Sequence, residues 1–326
     1  MGLDLRRLQR TSDGTFFVTL PKAWVEKNKL EKGAVLSFSE RKDGKILASP
    51  YGEQERKMST VTLTPGPTLQ REIEEKYLLG YDVFEIASQQ AINSEVRETV
   101  RRVVRSLVGL EVVEEDTKKL VIQCLIEPSL LFPDRILRRL HMISLTMQKD
   151  AIASFVRKDA KLAKTVVERD EDVDRLYFLL VRVVRAALTD ATIADKLGTN
   201  PIDCLDYRIL ASLVEKFADY ATDIANSTLS RSGGRDIEST TRSIEKAGAT
   251  INRMHKDAVE AVFTRNLPRA QEVTRLSTDA ATNIRTAERG LVNAKAETID
   301  RLAPVLSALK AMSEINVDIA DLAVTR

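Results

Sequence analysis

The sequence predicts a mainly α-helical protein of duplicated three-helix bundles, preceded by a small β domain and a small α/β connector. Three observations carry that expectation. From Pro133 onward, Ile136, Leu137, Leu140, Ile143, Met147, Ala151 and Phe155 follow the i, i+3/i+4 spacing of an amphipathic helix. The string Met147-Gln-Lys-Asp-Ala-Ile-Ala-Ser returns 107 residues later as Met254-His-Lys-Asp-Ala-Val-Glu-Ala, and the same offset carries Asp159 to Asn266 and Ala163 to Ala270. The first fifty residues are instead β-prone and punctuated by turns at Asp13-Gly14, Lys32-Gly33 and Asp43-Gly44.

Composition narrows the function classes. The chain has 326 residues, 43% hydrophobic and 30% charged, which suits folded domains rather than disorder. Aromatic residues make up only 5%, which favours helical packing over a sandwich or barrel. Cys124 and Cys204 are far apart and lack a neighbouring histidine, so neither a disulfide framework nor a thiolate metal site is expected, and a reducing cytosol is the default. No apolar run approaches the roughly 20 residues that cross a bilayer, and Arg6, Arg7 and Arg10 have no apolar stretch behind them to make a signal peptide. A cytoplasmic protein is expected. The net charge of +2 is unevenly spread: residues 1–50 hold ten basic against six acidic residues, whereas residues 51–133 hold ten against fourteen. The basic excess thus lies on the smallest segment, where it matters most for a polyanionic partner.

In order along the chain, Phe16–Leu20 reads as a strand and Pro21 opens a short helix over Lys22–Lys29. Strands follow at Val35–Glu40 and Lys45–Ser49. So small a segment, with so few apolar positions, needs a partner to build a core. Residues 58–127 read as the α/β connector: strands at Ser59–Thr64 and Asp82–Ala87, helices at Leu69–Leu79 and Ser94–Leu107 (the second capped by Ser94), then strands at Glu111–Glu115 and Leu120–Ile126. Helices are expected over Ala160–Leu188 and Leu205–Leu229, and a break at Ser232-Gly233-Gly234 separates repeat 1 (133–230) from repeat 2 (235–326), whose own breaks fall near Asn266-Leu267-Pro268 and Ala294.

Two groups of side chains stand out. Gly14-Thr-Phe-Phe-Val-Thr-Leu-Pro-Lys-Ala-Trp24, then Leu30, Lys32-Gly33 and Val35-Leu-Ser-Phe38, resemble the SpoVT/AbrB family. That resemblance implies a swapped-hairpin homodimer over residues 1–50 that presents basic side chains to DNA, with Arg6, Arg7, Arg10 and Lys22 as candidates and Lys27 and Lys29 as outer phosphate contacts. The family's antitoxin role does not suit so long a C-terminal partner. The second group is acidic. Asp170 and Asp174 stand at i, i+4 on one helix, and Glu215, Asp219 and Asp223 form a similar row on another. Stacked like charges destabilise a helix unless something positive neutralises them, and oxygen-only clusters suit Mg²⁺, Mn²⁺, Fe or Zn²⁺. On a helical wheel Glu215, Asp219 and Asp223 fall opposite the apolar stripe and point out of the bundle, while Asp170 and Asp174 sit at its margin, where Arg182 or Arg208 offers an alternative counter-charge.

The same residues carry a second resemblance. Leu162-Ala163, Val166, Asp170, Val173-Asp174 and Leu176, with Leu213-Val-Glu-Lys-Phe-Ala-Asp219, Ala221 and Ile224-Ala225, are similar to the second and third helices of a PhoU repeat. The resemblance spans residues 134–326 and implies a helical adaptor that binds metal on Asp170, Asp174, Glu215, Asp219 and Asp223 and represses phosphate-starvation responses. In repeat 2 the offset places Ser277 and Ala281 opposite Asp170 and Asp174, while Glu314 and Asp318 keep their spacing, so a second metal site is doubtful on sequence. His141 and His255 read as isolated, and no catalytic motif occurs, so no enzyme is expected. The leading expectation is a phosphate-responsive transcriptional regulator. A second is an adaptor that does not bind DNA and regulates a phosphate transporter or kinase; a third and weaker one is a metal-storage or metal-dependent hydrolytic protein.

Overall fold

The computed structural model describes residues 4–40, 44–51, 58–230 and 238–325. Asp43 of the third turn and the Ser232-Gly233-Gly234 break lie outside them. The chain divides into two units, Met1–Lys57 and Met58–Arg326.

In the first unit β1 (Gln9–Arg10) pairs antiparallel with β2 (Phe16–Phe17) across a turn in which Gly14 adopts a φ of 97°, a conformation that favours glycine. The helix α1 (Lys22–Lys27) begins after Pro21 and ends before Lys29, which takes a left-handed φ of 52° and so falls outside the helix expected to include it. A second hairpin pairs β3 (Leu36–Glu40) with β4 (Ile46–Pro50). Not one described residue of this unit is buried, while Leu5, Leu8, Phe16, Phe17, Val18, Val35, Phe38, Ile46 and Tyr51 are exposed. Among the described residues a single copy of it therefore has no core.

The second unit opens with a four-stranded sheet. The strand β5 (Thr60–Leu63), the helix α2 (Leu69–Leu78) and the strand β6 (Val83–Ala87) form a parallel crossover; after α3 (Ser94–Ser106), β7 (Leu110–Glu115) and β8 (Lys119–Cys124) make a hairpin, giving the order β5-β6-β8-β7. Alternation along β6 turns Phe84 and Ile86 into the core with Ile73, Tyr77, Val103 and Ile122. The cap of α3 is Asn93, not Ser94: its side chain accepts from the Val96 amide at 2.9 Å. Asn93 has the extended backbone an N-cap needs, and Ser94 is already the first helical residue.

Seven helices follow: α4 (Pro133–Arg157), α5 (Ala160–Thr189), the short α6 (Ala191–Leu197), α7 (Pro201–Leu229), α8 (Glu238–Thr264), α9 (Leu267–Arg289) and α10 (Ala296–Thr325). They enclose one continuous apolar core running from Ile136 to Ala323. Helix α7 starts earlier than expected because Asn200 and Asp203 form a capping box around Pro201, and α6 fills the stretch between Asp190 and Gly198. Within the described residues no helix is long and apolar enough to cross a membrane.

The duplication is visible in the backbone. Lys158 (φ 56°) and Arg265 (φ 52°), 107 residues apart, both take the left-handed conformation. The next residues, Asp159 and Asn266, both cap the following helix, accepting from Leu162 and Arg269 amides at 3.0 Å. Their own amides donate to Ser154 and Ala261 carbonyls, again one offset apart. Contacts between the repeats obey the same rule. Gln148 on α4 donates to the Gly248 carbonyl on α8 at 3.0 Å; exchanging repeats converts that pair into His255 and His141, whose ring centroids lie 5.0 Å apart. The two repeats are thus related by a pseudo-twofold that interchanges α4 and α8.

The expectation that the two histidines are isolated is therefore corrected. His255 stacks on Phe217 at 3.7 Å and its Nδ1 lies 2.8 Å from Asn316 Oδ1. Because the Asn316 amide nitrogen donates to the Ile251 carbonyl, Oδ1 is the acceptor and His255 Nδ1 carries the proton. Sequence separation hid the contact.

Candidate metal centre on repeat 1

The antiparallel helices α5 and α7 each carry one row of acids, and packing brings the rows together. One carboxylate oxygen from each of Asp174, Glu215 and Asp219 lies within 4.8 Å of the others. Asp170 and Asp223 extend the group, since Asp170 acts on Asp174, Glu215 and Asp219, and Asp223 acts on Asp170 and Asp219. The α7 row lies outside the bundle core, as the wheel places it, but it is not wholly solvated: Glu215 is half-buried and Asp223 is exposed. A row at the margin of an apolar stripe is drawn in when the neighbouring helix packs over that margin.

Electrostatics mark the site as short of positive charge. Burial, then Asp170 and Asp219, pushes Asp174 up to about 6. Burial, then Asp219 and Asp174, pushes Glu215 up to about 7, and burial, then Asp170 and Asp223, pushes Asp219 up to about 6. Asp170 is also raised, by burial and then Asp223, with the nearby Thr222 hydroxyl opposing. Its Oδ1 is buried without a hydrogen-bond partner, as is Thr222 Oγ1. Among the described residues none of the five carboxylates has an ion-pair partner. Glu74 on α2 adds a weaker repulsion on Asp174, so the α/β segment borders the site.

Neither candidate arginine neutralises the cluster. Arg208 lies 5.0 Å over the Tyr177 ring and only weakly opposes the rise at Glu215. Arg182, 1% exposed, turns away from the acids altogether. It donates to the Tyr77 and Tyr81 carbonyls at 2.7 and 2.9 Å and pairs with Asp82 Oδ1 at 3.1 Å, gripping the C-terminal end of α2. Carbonyls at a helix C-terminus carry partial negative charge and lack helical donors, which is where a guanidinium binds best. A partner more than a hundred residues away left no signal in the local sequence.

Half-buried carboxylates without an ion-pair partner among the described residues, with all-oxygen donors, fit a divalent cation. Asp174, Glu215 and Asp219 would hold it, with Asp170 within reach and Asp223 at the rim. Bound there, the ion supplies positive charge that lets these acids ionise together.

The six basic candidates of the first unit are all exposed. Arg6 pairs with Asp4 at 2.9 Å, Arg10 lies 5.5 Å over the Phe16 ring, and Lys22 stands 3.6 Å from Glu26. Arg7, Lys27 and Lys29 have no ion-pair partner among the described residues.

Comparison with known proteins places both parts. Residues 137–228 match the PhoU domain family, and residues 9–55 match the family described as antidote-toxin recognition MazE, bacterial antitoxin. No curated protein matches the chain. Among solved structures, the phosphate transport system regulatory protein PhoU from Streptococcus pneumoniae is 13% identical over 59% of this chain and 91% of its own, with a TM-score of 0.46. PhoU from Pseudomonas aeruginosa is 17% identical over 60% of this chain and 95% of its own, with a TM-score of 0.45. The chain thus carries a segment similar to the MazE family, residues 9–55, ahead of one similar to the PhoU domain, residues 137–228.

Proposed function

We propose that the protein is a phosphate-responsive transcriptional regulator, in which the N-terminal unit binds DNA as a homodimer and the PhoU domain holds a divalent metal ion or meets a signalling partner. The observation that carries this reading is the N-terminal unit itself. Among its described residues nine large apolar side chains are exposed and none is buried, which favours a second copy as the source of its core, and it bears Arg6, Arg7, Arg10, Lys22, Lys27 and Lys29 on the outside. Pairing doubles that basic set on one assembly, which suits a phosphate backbone.

Fluorescence anisotropy with duplex DNA across a salt series tests it. Backbone contact predicts a log-log slope that becomes shallower by about 0.9 for each phosphate contact removed, as in Arg7→Gln or Arg10→Gln. No binding at low salt, or binding with no salt slope, supports instead an adaptor that regulates a phosphate transporter or kinase. The metal half is tested separately, by metal content after dialysis against Mn²⁺. Asp174→Asn and Glu215→Gln should each lower it sharply, and unchanged content in both removes the site.

A further inference from the structure

Repeat 2 has its own groove at the place where repeat 1 gathers its acids. The offset of 107 carries Asp170, Asp174 and Phe178 to Ser277, Ala281 and Arg285; Glu314 and Asp318 match Glu215 and Asp219 at an offset of 99, eight shorter because repeat 1 carries α6 before its last helix and repeat 2 has no such helix among the described residues. That second correspondence also takes Ala211 to Lys310 and Val214 to Ser313. In repeat 1 this face is filled: Ala211 and Val214 are buried, and Phe178 packs against the α/β core. In repeat 2 it is an open groove of about 580 Å³ between α9 and α10, lined by all of the corresponding residues. A volume of that order is within the range of small-ligand sites.

The charges in the groove are sorted. On α10, Asp318, Glu314 and Lys310 are spaced four residues apart, so they follow one ridge at intervals of about 6 Å. Ser277, Ala281 and Arg285 do the same on α9, which runs the other way. One end therefore holds Ser277, Glu314 and Asp318; the other holds Arg285 and Lys310, with Glu288 one turn beyond Arg285. Among the described residues none of these charges has an ion-pair partner within 4.0 Å.

The floor supplies a second observation. Ser313 is only 8% exposed, lines the groove, and has no hydrogen-bond partner among the described residues. Buried helical serines elsewhere in the chain bond back to a carbonyl, as Ser144 does to Leu140 at 2.9 Å. A hydroxyl replaces the apolar Val214 of repeat 1 and is left facing the groove.

We propose that this groove binds a phosphate-type oxyanion together with a divalent cation, the oxyanion on Arg285, Lys310 and Ser313 and the cation on Glu314 and Asp318. Two carboxylates are too few to hold such an ion alone. Magnesium is commonly held by one or two carboxylates completed by phosphate oxygens, and the spacing of acid and base by about one turn lets one oxyanion touch both. The inference depends neither on DNA binding nor on a metal at the repeat 1 cluster.

Isothermal titration of the full chain tests it, with Asp174→Asn and Glu215→Gln in place to silence repeat 1. Pyrophosphate and inorganic phosphate are titrated with and without Mg²⁺. Saturable binding that requires Mg²⁺ is expected, weakened at least about tenfold by Arg285→Gln or Lys310→Gln, both at exposed positions. Glu314→Gln with Asp318→Asn should abolish the Mg²⁺ requirement together with most of the affinity. Ser313→Val, which restores the repeat 1 residue, should weaken binding without lowering the melting temperature. Absence of binding to either probe, or binding unchanged in Arg285→Gln and Lys310→Gln, overturns the proposal and leaves the groove a solvated face.

Discussion

The turn from α4 to α5 and the turn from α8 to α9 are built alike, with a left-handed residue followed by an Asx cap at the same offset, yet the helix faces they position have diverged. Repeat 1 concentrates five carboxylates, buries Ala211 and Val214 in the helical core and packs Phe178 against the α/β core; repeat 2 keeps two of those acids, gains Arg285 and Lys310, and leaves its face open. Turn residues answer to backbone geometry that has one cheap solution, so duplication preserves them. Surface ridges answer only to what binds there, and they are free to differ once the two faces meet different partners.

The sharpest difference is Arg182 against its counterpart Arg289. The first is buried on the end of α2 and on Asp82, the second is exposed on α9. Arg182→Ala should cost about 3 kcal/mol in urea unfolding, because Asp82 and the α2 carbonyls lose a buried cation. Arg289→Ala should stay within about 0.5 kcal/mol. Equal effects from the two would mean that the α/β segment is not held on repeat 1 by this contact.

The histidine pair separates the repeats in a second way, since its counterpart is Gln148 against Gly248. Burial first, then Arg138 and Lys256, pushes His141 down to about 4; burial and His141 push His255 well below its ordinary value, with Asn316 opposing. Between pH 6.5 and about 4 the unfolded chain binds more protons than the folded one, so this stability is present above pH 6.5 and is lost as pH falls through that window. The loss should be on the order of 2 kcal/mol by pH 5. The acid cluster shifts stability the other way over the same range, so the difference between wild type and His255→Gln isolates the pair. A difference independent of pH would remove the histidines from the acid response.

How much of this was legible in the sequence follows from the range of the interaction. The helix pattern and the i, i+4 acid rows are set within one or two turns of chain, and the 107-residue offset is a match between two such local strings, so spacing in the sequence reveals them. The meeting of Asp174 with Glu215 depends on how α5 crosses α7, which the wheel does not contain, so the wheel places the α7 row outside the bundle and leaves a metal cluster and a solvated face equally open. Arg182 stands in the sequence as one alternative counter-charge to the acids because its real partners lie on α2, and His255 reads as isolated for the same reason. The first unit shows the opposite limit. Its turns at Asp13-Gly14 and Lys32-Gly33 are legible in the sequence, but its want of a core shows only in the structure, where every described side chain of known burial is at least partly exposed.

Glu215 and Glu314, the corresponding acids of the two grooves, give the smallest and most discriminating prediction. Burial and neighbouring carboxylates raise Glu215 to about 7, so between its ordinary value near 4.5 and about 7 the folded chain binds more protons than the unfolded one. Stability attributable to this group is thus present at low pH and is lost as pH rises through that window. Metal-free Glu215→Gln at pH 7.5 should gain roughly 1 kcal/mol over wild type, a value discounted for the solvent that reaches a half-buried group, and the gain should vanish at pH 4.5. Glu314→Gln, at an exposed position in the repeat 2 groove, should change stability by less than about 0.5 kcal/mol at either pH. Added Mn²⁺ should then reverse the first comparison, stabilising wild type and leaving Glu215→Gln behind, because the charge that strains the empty cluster is the charge that holds the ion. A Glu215→Gln protein that Mn²⁺ stabilises as much as wild type would place the ion elsewhere.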